Sequence, residues 1–130
     1  MAGYIDGFLL PVPKGKLEAY RRISQAAGKV WVEYGALDYV ECVGDDVQTK
    51  AKTKMHASFP SYARAKKGEL VIFSWIFYKS RAHRDRVNAK VMKDPRINAA
   101  MAQDMPVDMK RMAYGGFKVF VHLQPKRAGR

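Results

Sequence analysis

Residues 69–78 read ELVIFSWIFY, and this stretch decides the fold. Side chains alternate across a strand, so Val71, Phe73, Trp75 and Phe77 share one face. Leu70, Ile72, Ser74, Ile76 and Tyr78 share the other. Both faces are apolar, and an apolar face left in water is unfavourable, so both need a cover. Helices of the same chain supply one. A second copy of the chain is the simplest source of the other, because most soluble oligomers are symmetric homodimers.

Working outward, residues 3–11, GYIDGFLLP, are aromatic and β-prone, and Pro11 and Pro13 close them. Lys14 to Tyr34 forms the clearest helix. Leu17, Tyr20, Ile23, Ala27, Val30, Trp31 and Tyr34 recur at steps of three or four and make one apolar stripe. Gly35 stands where a left-handed residue ends a helix. Residues 36–44, ALDYVECVG, read as a strand with Leu37, Tyr39, Glu41 and Val43 on one face and Asp38, Val40 and Cys42 on the other. Gly44-Asp45-Asp46 breaks it. Residues 47–67 read as an exposed, mobile loop, basic through TKAKTKMH and closed by a short helix near Ser58 and Pro60.

Downstream of the decisive strand, Ser80 caps a helix running to about Met92, with His83, Val87 and Val91 on one face. Asp94-Pro95 opens a shorter helix through about Gln103. Residues 112–123, MAYGGFKVFVHL, form the last strand, where Gly115-Gly116 marks a bulge or a close backbone approach. The order strand, helix, strand, strand, helix, strand is the ferredoxin-like βαββαβ pattern of the α+β class, with one four-stranded antiparallel sheet. Paired face to face with a second copy, it forms a dimeric α+β barrel. The expected organisation is a single domain over residues 1–123 and a disordered basic tail, QPKRAGR, over 124–130.

The totals agree with one globular domain: 130 residues, 48% hydrophobic. No window approaches the ~18 apolar residues of a membrane span, and the N-terminus lacks the basic start and long apolar run of a secretory signal. The single cysteine, Cys42, excludes an intrachain disulfide and a cysteine-rich zinc site. A cytoplasmic location is expected. The formal charge of +12 is uneven: residues 1–46 balance at −2 and residues 47–130 at +14. Such asymmetry raises the question of an anionic partner, though a solvated basic surface explains it equally simply.

Four blocks carry a resemblance to a known family: YIDGFLLPVP (4–13), GKVWVEYGALDYVECVGDD (28–46), FSWIFYKSRAHRDRVNAKVM (73–92) and MPVDMKRMAYGG (105–116). They look like the YbaA-like family of uncharacterised bacterial proteins, in the same order over nearly the whole chain. The resemblance implies a dimeric α+β barrel. It passes on no catalytic residues, because that family has no established activity. Residues 48–57 depart from the pattern, being longer and more basic.

No phosphate loop, GxGxxG or GxSxG is present. His56, His83 and His122 lack metal-ligand spacing, so neither a metal nor a cofactor is expected. The segment SRAHRDRVN (80–88) puts one imidazole, one carboxylate and three guanidiniums into the first turns of a helix, where free amides favour anions. His83 on the inner face is a candidate acid–base residue, with Trp75, Tyr78, Arg84 and Tyr39 as candidate ligand contacts; the alternative is that His83 packs and the arginines are surface charge. Asp6, in an apolar strand, is the second catalytic candidate, or else it pairs with Arg111 or a helix residue, since an unpaired buried carboxylate is unfavourable. Cys42 reads as a small filler.

Three functions compete. The first is a barrel that binds or transforms a small molecule near His83, leaving open whether it is an enzyme. The second is a non-catalytic interaction module. The third is a nucleic-acid binder, ranked last because ELVIFSWIFY lacks the basic, glycine-containing RNA-binding signature and a dimer would cover the aromatic platform.

Overall fold

The computed structural model of the chain describes residues 3–48 and 57–126. Strand β1 (Tyr4–Pro13) leads through a 3-10 turn at Lys14–Lys16 into helix α1 (Leu17–Glu33). Strand β2 (Asp38–Val43), a one-turn helix α2 (Phe59–Tyr62) and strand β3 (Glu69–Tyr78) follow. Helix α3 (Arg81–Val91), helix α4 (Pro95–Met101), a 3-10 turn at Met109–Arg111 and strand β4 (Ala113–Lys118) complete the described order. The four strands form one antiparallel sheet in the order β2-β3-β1-β4. This is the expected ferredoxin-like architecture.

Local chemistry places the boundaries. Ser80 Oγ accepts from the His83 amide and opens α3; Asp94 accepts from the Arg96 amide and opens α4; Ser58 caps α2 through Ser61. Gly35, with φ of +118°, ends α1 in the left-handed region that a glycine tolerates without penalty. The ten-residue pairing of β1 with β3 forms the centre of the sheet. Leu10, Val12, Ile72, Ile76 and Tyr78 point from it to the helices and are buried. Two apolar clusters result, one around Tyr78, Val87 and Val91, the other around Leu10, Val12 and Ile72.

The last strand is shorter than the sequence pattern implies. β1 begins at Tyr4, opposite Lys118, and Val119 N–H donates to Gly3 at 2.9 Å. Beyond that point, residues 119–126 pair with no strand among the described residues. Gly115 and Gly116 pair regularly with Gly7 and Asp6, so there is no bulge. Their role is close approach: a Cβ on Gly116 would run into the Tyr4 ring. The basic run at 49–56, with His56, and the tail at 127–130 lie outside the described residues.

The face of the sheet turned away from α1, α3 and α4 carries Phe73, Trp75, Phe77 and Phe117. Phe73 packs on Trp75 and on Phe59 of α2 at ring distances of 5.8 and 5.9 Å. Phe73 and Phe117 remain 46% and 61% exposed. Among the described residues, no helix is long and apolar enough to cross a membrane.

Candidate functional site

Between the helix face of the sheet and helices α1 and α4 lies a cavity of about 440 Å³. Its walls are apolar: Phe8 and Leu10 from β1, Ile76 from β3, Ile23, Ala27 and Trp31 from the α1 stripe, and Ile97 and Ala100 from α4. Five of the seven methionines, Met92, Met101, Met105, Met109 and Met112, line the side formed by the end of α3, α4 and the segment after it. Methionine is unbranched and polarizable, so this wall adapts to shape more readily than one of Val or Ile.

Two carboxylates interrupt the apolar lining. Asp6 points inward from β1 and is 1% exposed. Its Oδ1 accepts from Arg84 Nη1 of α3 at 2.6 Å, and the Arg84 guanidinium also stacks 5.0 Å from the Tyr4 ring centre. Burial pushes the Asp6 carboxyl above its usual range; the charge of Arg84 and hydrogen bonds from Asn88, Arg84 and Tyr78 pull the other way. Asn88 ties this end together, its Oδ1 accepting from Trp31 Nε1 at 3.0 Å and from the Tyr78 hydroxyl at 3.2 Å.

The second carboxylate is Glu41 on β2. Tyr20 donates to its Oε1 and Oε2 at 2.9 and 3.0 Å, Ser24 donates to Oε2, and the Tyr39 hydroxyl lies 3.4 Å from the same oxygen. Burial, then the neighbouring carboxylate, raises the Tyr20 hydroxyl far above its ordinary value, and burial leads in pushing Tyr39 up to about 12. Both phenols stay protonated and act as donors. β3 separates Asp6 from Glu41, so their strands stand roughly 10 Å apart.

Of the six residues singled out in the sequence, Asp6, Tyr39 and Trp75 border the cavity, whereas His83, Tyr78 and Arg84 do not. Trp75 borders it from β3, but its ring belongs to the opposite face with Phe73. His83 packs edge-on against Tyr78 at 5.9 Å, accepts from the Lys79 amide at Nδ1 (3.0 Å), and has its Nε2 beside Gly35. Burial and the cations Lys79 and Arg86 lower its pKa, which favours the neutral ring. Arg84 and Tyr78 gather around Asp6 instead of contacting the cavity. Arg111 does not reach Asp6; it pairs bidentately with Glu69 at 2.7 Å and with Asp108 at 3.0 Å.

The sequence reading missed Glu41, Tyr20, Ser24 and Asn88. A signal was available for the first three: a glutamate on the helix-facing side of a strand needs donors, and Tyr20 and Ser24 lie one helical turn apart on the packed side of α1.

A family model described as "Protein of unknown function (DUF1428)" matches residues 3–109. The uncharacterized protein YbaA of Escherichia coli strain K12 is 42% identical over 118 residues, covering 91% of this chain and 97% of that protein. The chain belongs to this family. The DUF1428 fold also has distant structural relatives. A NIPSNAP domain protein from Burkholderia xenovorans superposes with a TM-score of 0.54 at 14% identity, covering 95% of this chain and 99% of that one. A dimeric ferredoxin-like protein from an uncultured marine organism gives 0.54 at 11% identity, covering 96% and 100%. At such identities the likeness supports the ferredoxin-like fold alone.

Proposed function

We propose that this DUF1428 protein binds a small, mainly apolar molecule in the cavity between sheet and helices, with Asp6 and Glu41 as polar anchors. The observation that carries this reading is the cavity itself: about 440 Å³ of apolar and methionine-rich wall with two convergent carboxylates. If chemistry follows binding, Asp6 is the better placed acid–base group, because it faces the cavity with a raised pKa. His83, packed on Tyr78 with its Nδ1 accepting from the Lys79 amide, fits a packing role that positions the start of α3.

The test uses a neutral fluorescent probe, N-phenyl-1-naphthylamine, titrated into the protein. Ala27→Leu and Ala100→Leu each push methyl groups into the cavity and are expected to weaken probe binding about tenfold, with the circular dichroism spectrum unchanged. Lys67→Ala, at an exposed residue that lines neither the cavity nor the aromatic face, is the control. Parent-like binding by both filled variants would refute the assignment.

The same reading gives the other face of the sheet to a second copy of the chain. Phe73, Trp75 and Phe117 there form an apolar strip with Ile5, continued by Phe120, and such contiguous apolar surface favours association. The marine ferredoxin-like protein is itself described as dimeric, which agrees with this arrangement. A dimer would occupy the aromatic face that an RNA would need, which supports a solvated role for the basic residues. The single cysteine fits a cytoplasmic place.

A further inference from the structure

Among the described residues, the charges that line the cavity are not balanced. Asp6 has a guanidinium at 2.6 Å, so that end is neutral as a pair. Glu41 has none: among the described residues no Lys, Arg or His nitrogen stands within 4.0 Å of it. Arg21 and Lys29 line an adjoining groove that shares Tyr20, Ser24, Tyr39 and Glu41 with the cavity, but neither pairs with Glu41, and Arg21 is paired with Glu18 at 3.2 Å.

The donors around Glu41 sharpen the point. Tyr20, Ser24 and Tyr39 each have one hydroxyl proton. Tyr20 commits its proton to Glu41, and those of Ser24 and Tyr39 stay within the cluster, which Ser24 and Tyr39 close at 3.3 Å. What remains for a ligand is lone pairs: those of the carboxylate and those of three hydroxyl oxygens. Such a group welcomes hydrogen-bond donors and repels acceptors. The rings of Tyr39 and Trp31, 6.1 Å apart, stand beside it, and aromatic faces attract cations.

We infer that the cavity selects an organic amine in its ammonium form, with the cation at Glu41 and the apolar body along the methionine wall. This rests on the small-molecule reading above and gives it a ligand class. The ammonium's N–H groups would donate to Glu41 and to the Tyr20 and Tyr39 oxygens, with no rearrangement of the donors already in place.

Three probes of one length separate the possibilities: 4-phenylbutylamine, 4-phenylbutanol and 4-phenylbutanoate. Each is titrated near pH 7 against N-phenyl-1-naphthylamine already bound, with direct calorimetry as a second readout. The amine is expected to bind about tenfold tighter than the alcohol, the difference made by one charge-assisted hydrogen bond, and the carboxylate weaker than either. Glu41→Gln keeps the shape and removes the charge, so the amine's advantage over the alcohol should vanish while the alcohol's affinity holds. Tyr20→Phe gives an independent check and should reduce the same advantage with the fold intact. Equal binding of amine and alcohol to the parent overturns the amine assignment and leaves the small-molecule reading standing. Failure of the fluorophore and all three probes to bind overturns both.

Discussion

Removing Arg84 is the most informative single perturbation of this molecule. In Arg84→Met the side chain keeps its length and loses its charge. Asp6, 1% exposed, then faces the core without its cation. Breaking a buried pair by deleting one partner typically destabilises by about 3–5 kcal/mol. The lost contact with the Tyr4 ring at 5.0 Å adds to this, at about 0.5–1 kcal/mol. The Arg84–Asp85 contact adds little, because Asp85 is solvated. Proton uptake by Asp6 limits the total, since a neutral carboxyl tolerates burial better than a charged one. For a chain of this size, a loss near 3 kcal/mol lowers Tm by roughly 10–15 °C. The pH dependence follows from the direction of the Asp6 shift, already upward in the intact protein. A group with a raised folded-state pKa loses its contribution to stability as pH climbs through that value. Without Arg84 the pKa rises further, so the penalty is smallest at acidic pH and grows toward neutrality. Urea unfolding followed by tryptophan fluorescence at several pH values measures this, and Asp6→Asn in the Arg84→Met background should recover most of the loss. A penalty below about 1 kcal/mol that does not change with pH would refute the idea that this pair anchors the core.

Gly28 lies in α1 beneath the Tyr39 ring, and a Cβ built there stands 2.6 Å from Tyr39 Cδ1. Gly28→Ala should therefore lower stability by about 1–3 kcal/mol in urea, despite the better helix propensity of alanine. Light scattering is expected to give twice the 14.7 kDa chain mass, and Phe117→Lys to halve it; a monomeric parent would exclude the second copy from the open face. Arg111 holds the Glu69 carboxyl down at about 2, so their pairing supports the fold above the ordinary glutamate range and fades as pH falls through that value. Arg111→Leu should lower Tm near pH 7, with the difference from the parent narrowing in strong acid.

The sheet was legible because ELVIFSWIFY alternates and because Gly35, Ser80 and Asp94-Pro95 mark helix ends by chemistry that acts locally. The end of the last strand was not legible, since Val119 to Leu123 have the composition of a strand, and where a strand stops depends on the reach of its neighbour, here β1, whose described pairing with β4 begins at Tyr4. The site was half legible. Asp6 stood out because a lone carboxylate in an apolar strand needs an explanation, and a helix residue, Arg84, proved to be its partner. Glu41 was placed on the right strand face, with Leu37, Tyr39 and Val43, but its role was hidden because nothing in β2 itself shows that Tyr20 and Ser24 come across from α1 to meet it. His83 drew attention by its helical spacing with Val87. Spacing fixes the face of a helix and not the depth of the residue, and at the first turn of α3 that face meets Gly35 and Tyr78, away from the cavity.

The central pairing of the sheet also governs how the chain folds. Tyr4 is matched with Tyr78 and Pro13 with Glu69, so the two inner strands are joined by everything between them. Closing so long a loop is entropically unfavourable until many contacts form together, and chains dominated by distant pairings fold in milliseconds to seconds instead of microseconds. Helix α1 can flicker into shape early, but it has no surface to rest on before β1 finds β3. Once formed, that inner pair is shielded by a neighbour on each side. Its amides should be the last to exchange with deuterium, while β2 and β4, each bonded along one edge only, open sooner.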